Sequence, residues 1–387
     1  MKKRILLGII CAALLLSAGA WFFQSAVFVR SVTTRWLASC VAAQAEEKTT
    51  CIRHAIERAL GYFGPDAALD ALADSVDRDP SFGSSCHDFT HLIGKESYRQ
   101  YIATESLAIS KKTAYCSFGF YHGFMETLLS LGGTIEDARG LCALVDAQLG
   151  AEIPNAVAAC YHGIGHGSVD IHNPSHRGNE HALIDPALSV CQSFAKDMEQ
   201  LKICSTGVFD SLSLGYYNQE NGLVMRQSDP LWLCRQQEGI VKEACYLDMM
   251  PAMLWLGEYD LAKAAPLVAA HTEAAYRSLA IKTVADGSIR HILGKKDPGE
   301  YLAVCRRLDA SLQSSCVAGL GSGIMQFGKP EVEYADALAF CARDALTAPE
   351  QDACYQSVLS YVQGRYSQTK VQSICADVAE PYRKHCL

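Results

Sequence analysis

The sequence predicts an all-α protein, a disulfide-stapled α-solenoid of helical hairpin repeats that follows an N-terminal membrane segment. Three observations support this fold class. Cysteines recur in pairs at short spacings, apolar residues on both sides of the pairs recur at helical spacing, and the paired unit repeats with a period of about 34–50 residues. Two helices per unit at such a period are typical of α-solenoids.

The cysteine spacing defines the repeating unit. The pairs eleven residues apart are Cys40/Cys51, Cys234/Cys245, Cys305/Cys316 and Cys375/Cys386, those thirteen apart are Cys191/Cys204 and Cys341/Cys354, and the pair eighteen apart is Cys142/Cys160. A short polar link separates the two members of a pair. One cysteine therefore falls near the end of a first helix, A, and its partner at the start of a second helix, B. Disulfide geometry permits this bond where two antiparallel helices meet at a turn.

Two cysteines, Cys86 and Cys116, have no partner at hairpin spacing. Each opens a B helix in adjacent units, so we predict a disulfide between them across the stack. A further unit without cysteines is expected where Ala264 and Ala275 stand eleven residues apart. These pairings are predictions, because spacing alone does not fix disulfide connectivity.

Residues 1–30 predict a signal anchor, or a signal peptide, with a membrane segment. Basic residues at positions 2–4 precede an apolar run over residues 5–23, which is long enough to span a bilayer. An uncleaved anchor is the preferred interpretation, and Ala18-Gly19-Ala20 offers an alternative cleavage site that would release a secreted chain. Residues 31–387 would then form an extracytoplasmic α-helical repeat domain, with histidine-rich units at 80–185 and cysteine-paired units at 186–387.

Charge and cysteine content limit the classes of partner and the cellular compartment that we expect. The formal net charge of −8 argues against a nucleic-acid partner. Of the 17 cysteines, only Cys11 lies in the N-terminal segment, and the other sixteen are an even number, as expected of disulfides in an oxidising compartment. We therefore expect a membrane-anchored protein that faces the periplasm or the extracellular space.

Histidines and carboxylates recur at matched positions in three consecutive B helices. Counted from the opening cysteine at position 86, 116 or 160, each helix has an imidazole five or six residues later and a carboxylate ten residues later. Equivalent positions of stacked helices lie side by side, about 10 Å apart, so these side chains are expected to converge. The predicted metal ligands are His87, His91, His122, His162 and His166, and the carboxylates predicted to act as ligand or general base are Glu96, Glu126 and Asp170.

Other units serve as a control for these histidines, since a single histidine that begins a helix is often a cap or a core residue. The segment after Cys316 keeps the glycine spacing found after Cys160, but has Ala318, Ser322 and Gln326 at the ligand positions. The backbone pattern therefore does not require histidine. We interpret the glycines as packing residues at close helix contacts, because glycine inside a helix costs about 1 kcal/mol relative to alanine.

Three isolated acids, Asp210, Asp248 and Glu258, are interpreted as surface or helix-terminus residues. Asp210 stands six residues after Cys204, the position that histidine occupies in two of the histidine-bearing units. It is not included among the predicted ligands.

Imidazoles and carboxylates at helical spacing are typical of a site for a divalent transition metal, here zinc, iron or copper. Eight candidates exceed the needs of one ion, so either two ions bind or some residues act from a second shell. One function class is a metalloenzyme, hydrolytic with zinc or oxidative with iron or copper. The other is a scaffold that binds a peptide or protein on its concave face, with a structural metal or none. Metal storage or sensing is a third alternative, and the sequence leaves open whether the chain is an enzyme.

Overall fold

The computed structural model describes residues 26–41, 45–78, 83–107, 109–171 and 173–386. Over these ranges the chain is all-α, with nineteen α-helices, several short 3-10 helices and no strand. The all-α class is therefore confirmed. The predicted membrane segment falls mainly on residues 1–25, outside the described residues. No helix within the described ranges is both long and apolar enough to cross a bilayer.

The helices of the first half alternate with short turns. In chain order they are α1 (Ala26–Val41), α2 (Ala45–Phe63), α3 (Pro65–Arg78), α4 (Gly83–Thr104), α5 (Gly119–Ser130), α6 (Ile135–Leu149), α7 (Asn155–Gly167), α8 (Glu180–Phe194) and α9 (Met198–Tyr217). Local sequence fixes several boundaries. At the start of α6, Thr134 accepts a hydrogen bond from the Asp137 backbone N–H, and the Asp137 carboxylate accepts one from the Thr134 backbone N–H. This reciprocal cap satisfies two donors that a helix start leaves open.

The second half continues the same alternation. Its helices are α10 (Trp232–Gln236), α11 (Gly239–Asp248), α12 (Met250–Leu256), α13 (Leu261–His271), α14 (Arg277–Ile292), α15 (Leu302–Cys305), α16 (Ala310–Phe327), α17 (Glu333–Cys341), α18 (Ala348–Arg365) and α19 (Gln368–Ala376). A 3-10 helix, Glu380–Cys386, follows them. Pro251 lies in the first turn of α12, where proline is tolerated because the backbone N–H has no intrahelical partner there. It separates α12 from α11.

All eight predicted cysteine pairs form disulfides in this structure. Seven of them link the two helices of a hairpin, and the eighth, Cys86–Cys116, links α4 to the segment before α5. The Cα–Cα distances run from 5.3 Å for Cys234–Cys245 to 6.0 Å for Cys375–Cys386. The disulfides indicate an extracellular or otherwise oxidising compartment.

The successive B helices pack against one another in chain order, α4 on α5, α5 on α7, and α7 on α9. Glycines allow this close approach. A Cβ on Gly165 would lie 1.8 Å from the carbonyl oxygen of Cys204, and a Cβ on Gly207 would lie 1.9 Å from that of His162. Real Cβ contacts are not shorter than about 3.0 Å, so only glycine fits at this contact. The packing role predicted for these glycines agrees with this geometry.

The C-terminal helices return to the first histidine-bearing helix. Helix α4 contacts α14 and α16, and α7 contacts α18. Arg290 on α14 places Nη2 2.6 Å from Oδ2 of Asp88, and the Ser117 hydroxyl donates to the carbonyl oxygen of Gln326 at 2.8 Å. These contacts bring C-terminal helices against the histidine-bearing part of the chain.

Candidate metal centre

The structure brings the five predicted histidine ligands together. His87 and His91 lie one turn apart on α4, His122 lies on α5, and His162 and His166 lie one turn apart on α7. The Nε2 atom of His91 is 3.1 Å from Nε2 of His87 and 3.0 Å from Nδ1 of His122. The rings of His122 and His162 stack with their centroids 4.6 Å apart. The imidazoles of three helices therefore form one cluster.

One predicted carboxylate, Glu126, contacts this cluster from its outer side. Its Oε1 atom lies 3.0 Å from Nδ1 of His166 and 3.8 Å from Nδ1 of His91. The other oxygen, Oε2, is 2.7 Å from Nζ of Lys95. Since Glu126 meets the Nδ1 atoms, the Nε2 atoms of both rings are left to face the interior of the cluster.

A second carboxylate, Asp210, lies inside the cluster, and its interpretation as a surface or helix-terminus residue is wrong. Oδ2 of Asp210 is 3.6 Å from Nε2 of His162, 3.6 Å from Nε2 of His166 and 3.9 Å from Nδ1 of His122. Its side chain is 15% exposed. The signal was its position six residues after Cys204, which marks α9 as a fourth helix with a ligand at that position.

The other two predicted carboxylates lie elsewhere. Glu96 accepts a hydrogen bond from Arg99 at 3.1 Å on a partly exposed face of α4. Glu96 follows His91 by five residues. A residue four positions later on a helix lies on the same face, but a residue five positions later is turned away from it. Asp170 is exposed and bonds to the Asn173 amide at 3.0 Å, because α7 ends at Gly167 and its helical spacing no longer applies. A catalytic role for Glu96 or Asp170 stays a prediction.

Hydrogen bonds to Nδ1 set the orientation of the rings. Nδ1 of His87 lies 2.9 Å from the carbonyl oxygen of Cys116, which can only accept, so this nitrogen carries the proton. Nδ1 of His162 lies 2.8 Å from the Thr206 hydroxyl, which already donates to the Ile203 carbonyl oxygen at 2.6 Å. This Nδ1 must therefore donate as well. In both neutral rings the Nε2 lone pair then points into the cluster.

Nδ1 of His166 lies 3.0 Å from Oε1 of Glu126, an ion-pair contact that does not meet hydrogen-bond geometry. Its Nε2 atom and that of His162 are buried and accept no hydrogen bond from the described residues. Both Nε2 atoms lie 3.6 Å from Oδ2 of Asp210 instead. The lone pair on Nε2 of His162 and the anionic oxygen of Asp210 repel each other unless a cation or an additional proton lies between them.

The contacts of His91 with His87 and His122 cannot both be hydrogen bonds either. His91 Nε2 contacts the nitrogens of both His87 and His122, but it has only one proton or one lone pair to offer. With one proton per ring, at least one of these two short contacts has no hydrogen bond. A metal ion at about 2.1 Å from each nitrogen would replace both contacts with ligand bonds.

Burial disfavours protonation of three of these rings. Burial lowers the pKa of His87, His91 and His122, and neighbouring imidazoles lower the pKa of His91 and His122 further. Burial acts in the same direction on His166, but the Glu126 carboxylate outweighs it and raises the pKa of His166. Burial acts to raise the pKa of Asp210, yet hydrogen bonding and charge from the histidines bring it to about 2. An ionised Asp210 beside neutral His87, His91 and His122 suits a metal ion, whereas Glu126 favours the protonated form of His166.

The distances fit a metal site. His87, His91 and His122 offer ligand atoms that lie within 4.8 Å of one another, and so do His122, His162 and Asp210. Ligands bound to one ion at 2.0–2.2 Å are separated by about 3–4 Å. Fold and site together define the class of protein: an all-α, disulfide-rich protein with a candidate His/Asp metal centre. Searches against protein-family models, curated proteins and solved structures find no match to this chain.

Proposed function

We propose that the protein is an extracytoplasmic metalloenzyme, a disulfide-stapled α-solenoid anchored through residues 1–30, that binds a divalent transition metal at the His/Asp cluster. One observation supports this most strongly. Nδ1 of His87 and Nδ1 of His162 donate to outer acceptors, and Nδ1 of His166 lies 3.0 Å from the Glu126 carboxylate, so the Nε2 atoms of all three rings face the interior of the cluster. Such outer partners orient histidine ligands in metal sites.

Access favours an enzyme over storage or a purely structural site. The side chains of His91 and Asp210 are 14% and 15% exposed, and Glu126 is 25% exposed. The ligands are thus held in a fixed, mostly buried set that solvent can still reach. Catalytic metal sites keep a coordination position open in this way, whereas structural sites are closed. A bound zinc ion would lower the pKa of a coordinated water and favour hydrolysis, the reaction class we assign to the site.

Cobalt substitution tests both the metal site and its open coordination position. The full chain, folded with its disulfides intact, is depleted of metal, loaded with Co(II), and followed by visible absorption. We expect stoichiometric binding and a spectrum that changes when azide is added, because azide would enter an open coordination position.

Absence of stoichiometric metal after reconstitution would overturn the metal site. A cobalt spectrum that does not respond to azide would show a closed site and overturn the enzymatic role. His181→Ala is the matched control, since His181 binds Asp185 and Gln236 rather than the cluster. This variant should bind cobalt as the wild type does.

A further inference from the structure

Exposed apolar side chains collect at the C-terminal ends of three neighbouring helices. Tyr62, 76% exposed, is the next-to-last residue of α2, and Leu131, 59% exposed, follows the last residue of α5. Ile102, 55% exposed, and its neighbour Tyr101 lie in the last turn of α4. Single exposed apolar residues are common on soluble proteins, whereas a group of them at one place marks an interaction surface.

The three helix ends lie on the same side of the molecule. Helices α4 and α5 run parallel, since a Cβ on Gly119 would contact the carbonyl oxygen of His87 and a Cβ on Gly123 that of His91. Helix α2 packs on α4 and runs in the same direction, because α3 reverses the chain between them. The C-terminal ends of α2, α4 and α5 are therefore side by side.

Helix α1 begins at this same end. The disulfide Cys40–Cys51 joins the end of α1 to the start of α2, so the first turn of α1 lies near the last turn of α2. Val27, in that first turn, is also exposed. Half of the exposed large apolar side chains in the described part of the chain are thus found at one end of the molecule.

The distance to the apolar run over residues 5–23 is short. Three residue steps separate position 23 from Ala26, and three extended residues span no more than about 11 Å. When residues 5–23 cross a bilayer, the start of α1 is therefore held within about that distance of its surface. The exposed ends of α2, α4 and α5 then lie beside the lipid.

We propose that the surface formed by Tyr62, Tyr101, Ile102 and Leu131 inserts its side chains into the interfacial layer of the bilayer that holds residues 5–23. This inference rests on the anchor in the proposed function and is independent of the metal. Tyrosine suits a membrane surface because its ring is apolar while its hydroxyl reaches water, and aromatic residues are enriched at both membrane–water interfaces.

The charged residues near this surface favour apolar insertion over electrostatic attraction. Arg99 on α4 pairs with Glu96 at 3.1 Å, and Arg139 on α6 pairs with Glu136 at 3.1 Å. Both arginines are neutralised by a carboxylate, so this surface offers apolar side chains rather than a basic patch to the lipid headgroups. Apolar contact is insensitive to salt, whereas contact through headgroup charge weakens as salt screens it.

This orientation also sets the height of the metal centre above the bilayer. His91 precedes Ile102 by eleven residues on the same helix, which is about 16 Å along the helix axis. The centre is then on the aqueous side of the lipid contact, and its substrate comes from water rather than from the bilayer interior.

Photo-crosslinking to lipid tests the inference. The full chain is reconstituted into phosphatidylcholine vesicles that contain a phosphatidylcholine with a diazirine near the glycerol end of its acyl chain. After irradiation and digestion, lipid adducts are mapped by mass spectrometry. We expect adducts in the peptides that contain Tyr62, Ile102 and Leu131, with the same yield at about 0.5 M NaCl as at low salt.

A triple variant with Tyr62→Ser, Ile102→Ser and Leu131→Ser should still sediment with the vesicles, and adduct yield in these peptides should fall by about tenfold. Met198→Ser is the matched control, because Met198 is also exposed but begins its helix, α9, instead of ending it. This variant should give the wild-type yield. Mapping of the wild type decides the inference even if the triple variant folds poorly.

The other outcomes separate the contact from the anchor. Adducts confined to residues 1–25 would overturn the contact and leave the anchor in place. Adducts that disappear at high salt would overturn contact through apolar side chains. A wild-type chain that fails to sediment with the vesicles would overturn both the contact and the anchor, whereas the metal site stands or falls with the cobalt experiment.

Discussion

Substitution of Gly207 by alanine should separate two ligand helices and weaken metal binding. A Cβ at this position would lie 1.9 Å from the carbonyl oxygen and 2.9 Å from the carbonyl carbon of His162, and 2.7 Å from the backbone nitrogen of His166. All three atoms belong to the backbone of α7, so no side-chain rotation relieves the clash. To reach the minimum contact of about 3.0 Å, α9 must move by about 1.1 Å relative to α7.

This movement acts directly on the His/Asp cluster, because Asp210 lies three residues after Gly207 on α9. Its Oδ2 atom is 3.6 Å from the Nε2 atoms of His162 and His166 in the native structure. Metal–ligand distances tolerate changes of only about 0.2 Å, several times less than the required shift. We therefore expect metal affinity to fall by at least about tenfold, the lower end of the losses seen when ligand orientation is disturbed.

Gly140→Ala is the matched control for stability. Gly140 also lies inside a helix, α6, but is exposed and has no neighbouring atom within 4 Å of a Cβ. Both substitutions gain about 1 kcal/mol of helix propensity, so their difference isolates the clash. Overpacking costs about 1–3 kcal/mol, and Gly207→Ala should be less stable than Gly140→Ala by that amount.

The assay is guanidinium denaturation of the metal-free proteins with their disulfides intact, followed by zinc competition against a chromogenic chelator. Gly140→Ala should unfold at higher denaturant than the wild type and bind zinc equally well. If Gly207→Ala matched Gly140→Ala in both measurements, the two helices would not be in the close contact that we describe, and the assignment of Asp210 to the centre would lose its support.

Three further outcomes follow from particular contacts. Thr206→Val removes the acceptor for Nδ1 of His162 and should lower zinc affinity by about 10–100-fold, whereas Thr206→Ser should retain the wild-type affinity. Equal affinity of the wild type and both variants in the chelator assay would refute the orienting role of Thr206. Burial raises the pKa of Asp286 from 3.8 to about 6, so the folded state favours the protonated acid. The contribution of this protonation to the free energy of unfolding is present at low pH and is lost as the pH rises through 6. Asp286→Asn should therefore stabilise the protein by up to about 3 kcal/mol at pH 8 and have little effect at pH 4, as measured by denaturant midpoints; an equal effect at both pH values would contradict this. Arg365→Met leaves the buried carboxylate of Glu333 without its ion-pair partner at 3.1 Å, and should lower the free energy of unfolding at neutral pH by about 3–5 kcal/mol in the same assay. A loss below about 1 kcal/mol would show that the pair is not buried.

The sequence by itself determined the features that depend on local spacing. A hairpin places its two cysteines at a fixed short separation, so the disulfide pairs could be predicted. The control unit after Cys316 showed that the glycine spacing does not require histidine. The five histidine positions followed from the same alignment, since equivalent residues on stacked helices lie side by side.

Only the tertiary structure decided which carboxylates join them. Asp210 enters the centre because Gly165 and Gly207 bring α9 against α7, and how close that contact is follows from the packed helices rather than from the sequence pattern. Asp170 is excluded because α7 ends before it. The ring orientations depend on the Cys116 carbonyl and the Thr206 hydroxyl, which come from neighbouring segments. Helix periodicity limits the directions in which a side chain can point. The position at which each helix ends, and its packing distance from its neighbours, then determine which residues that side chain contacts.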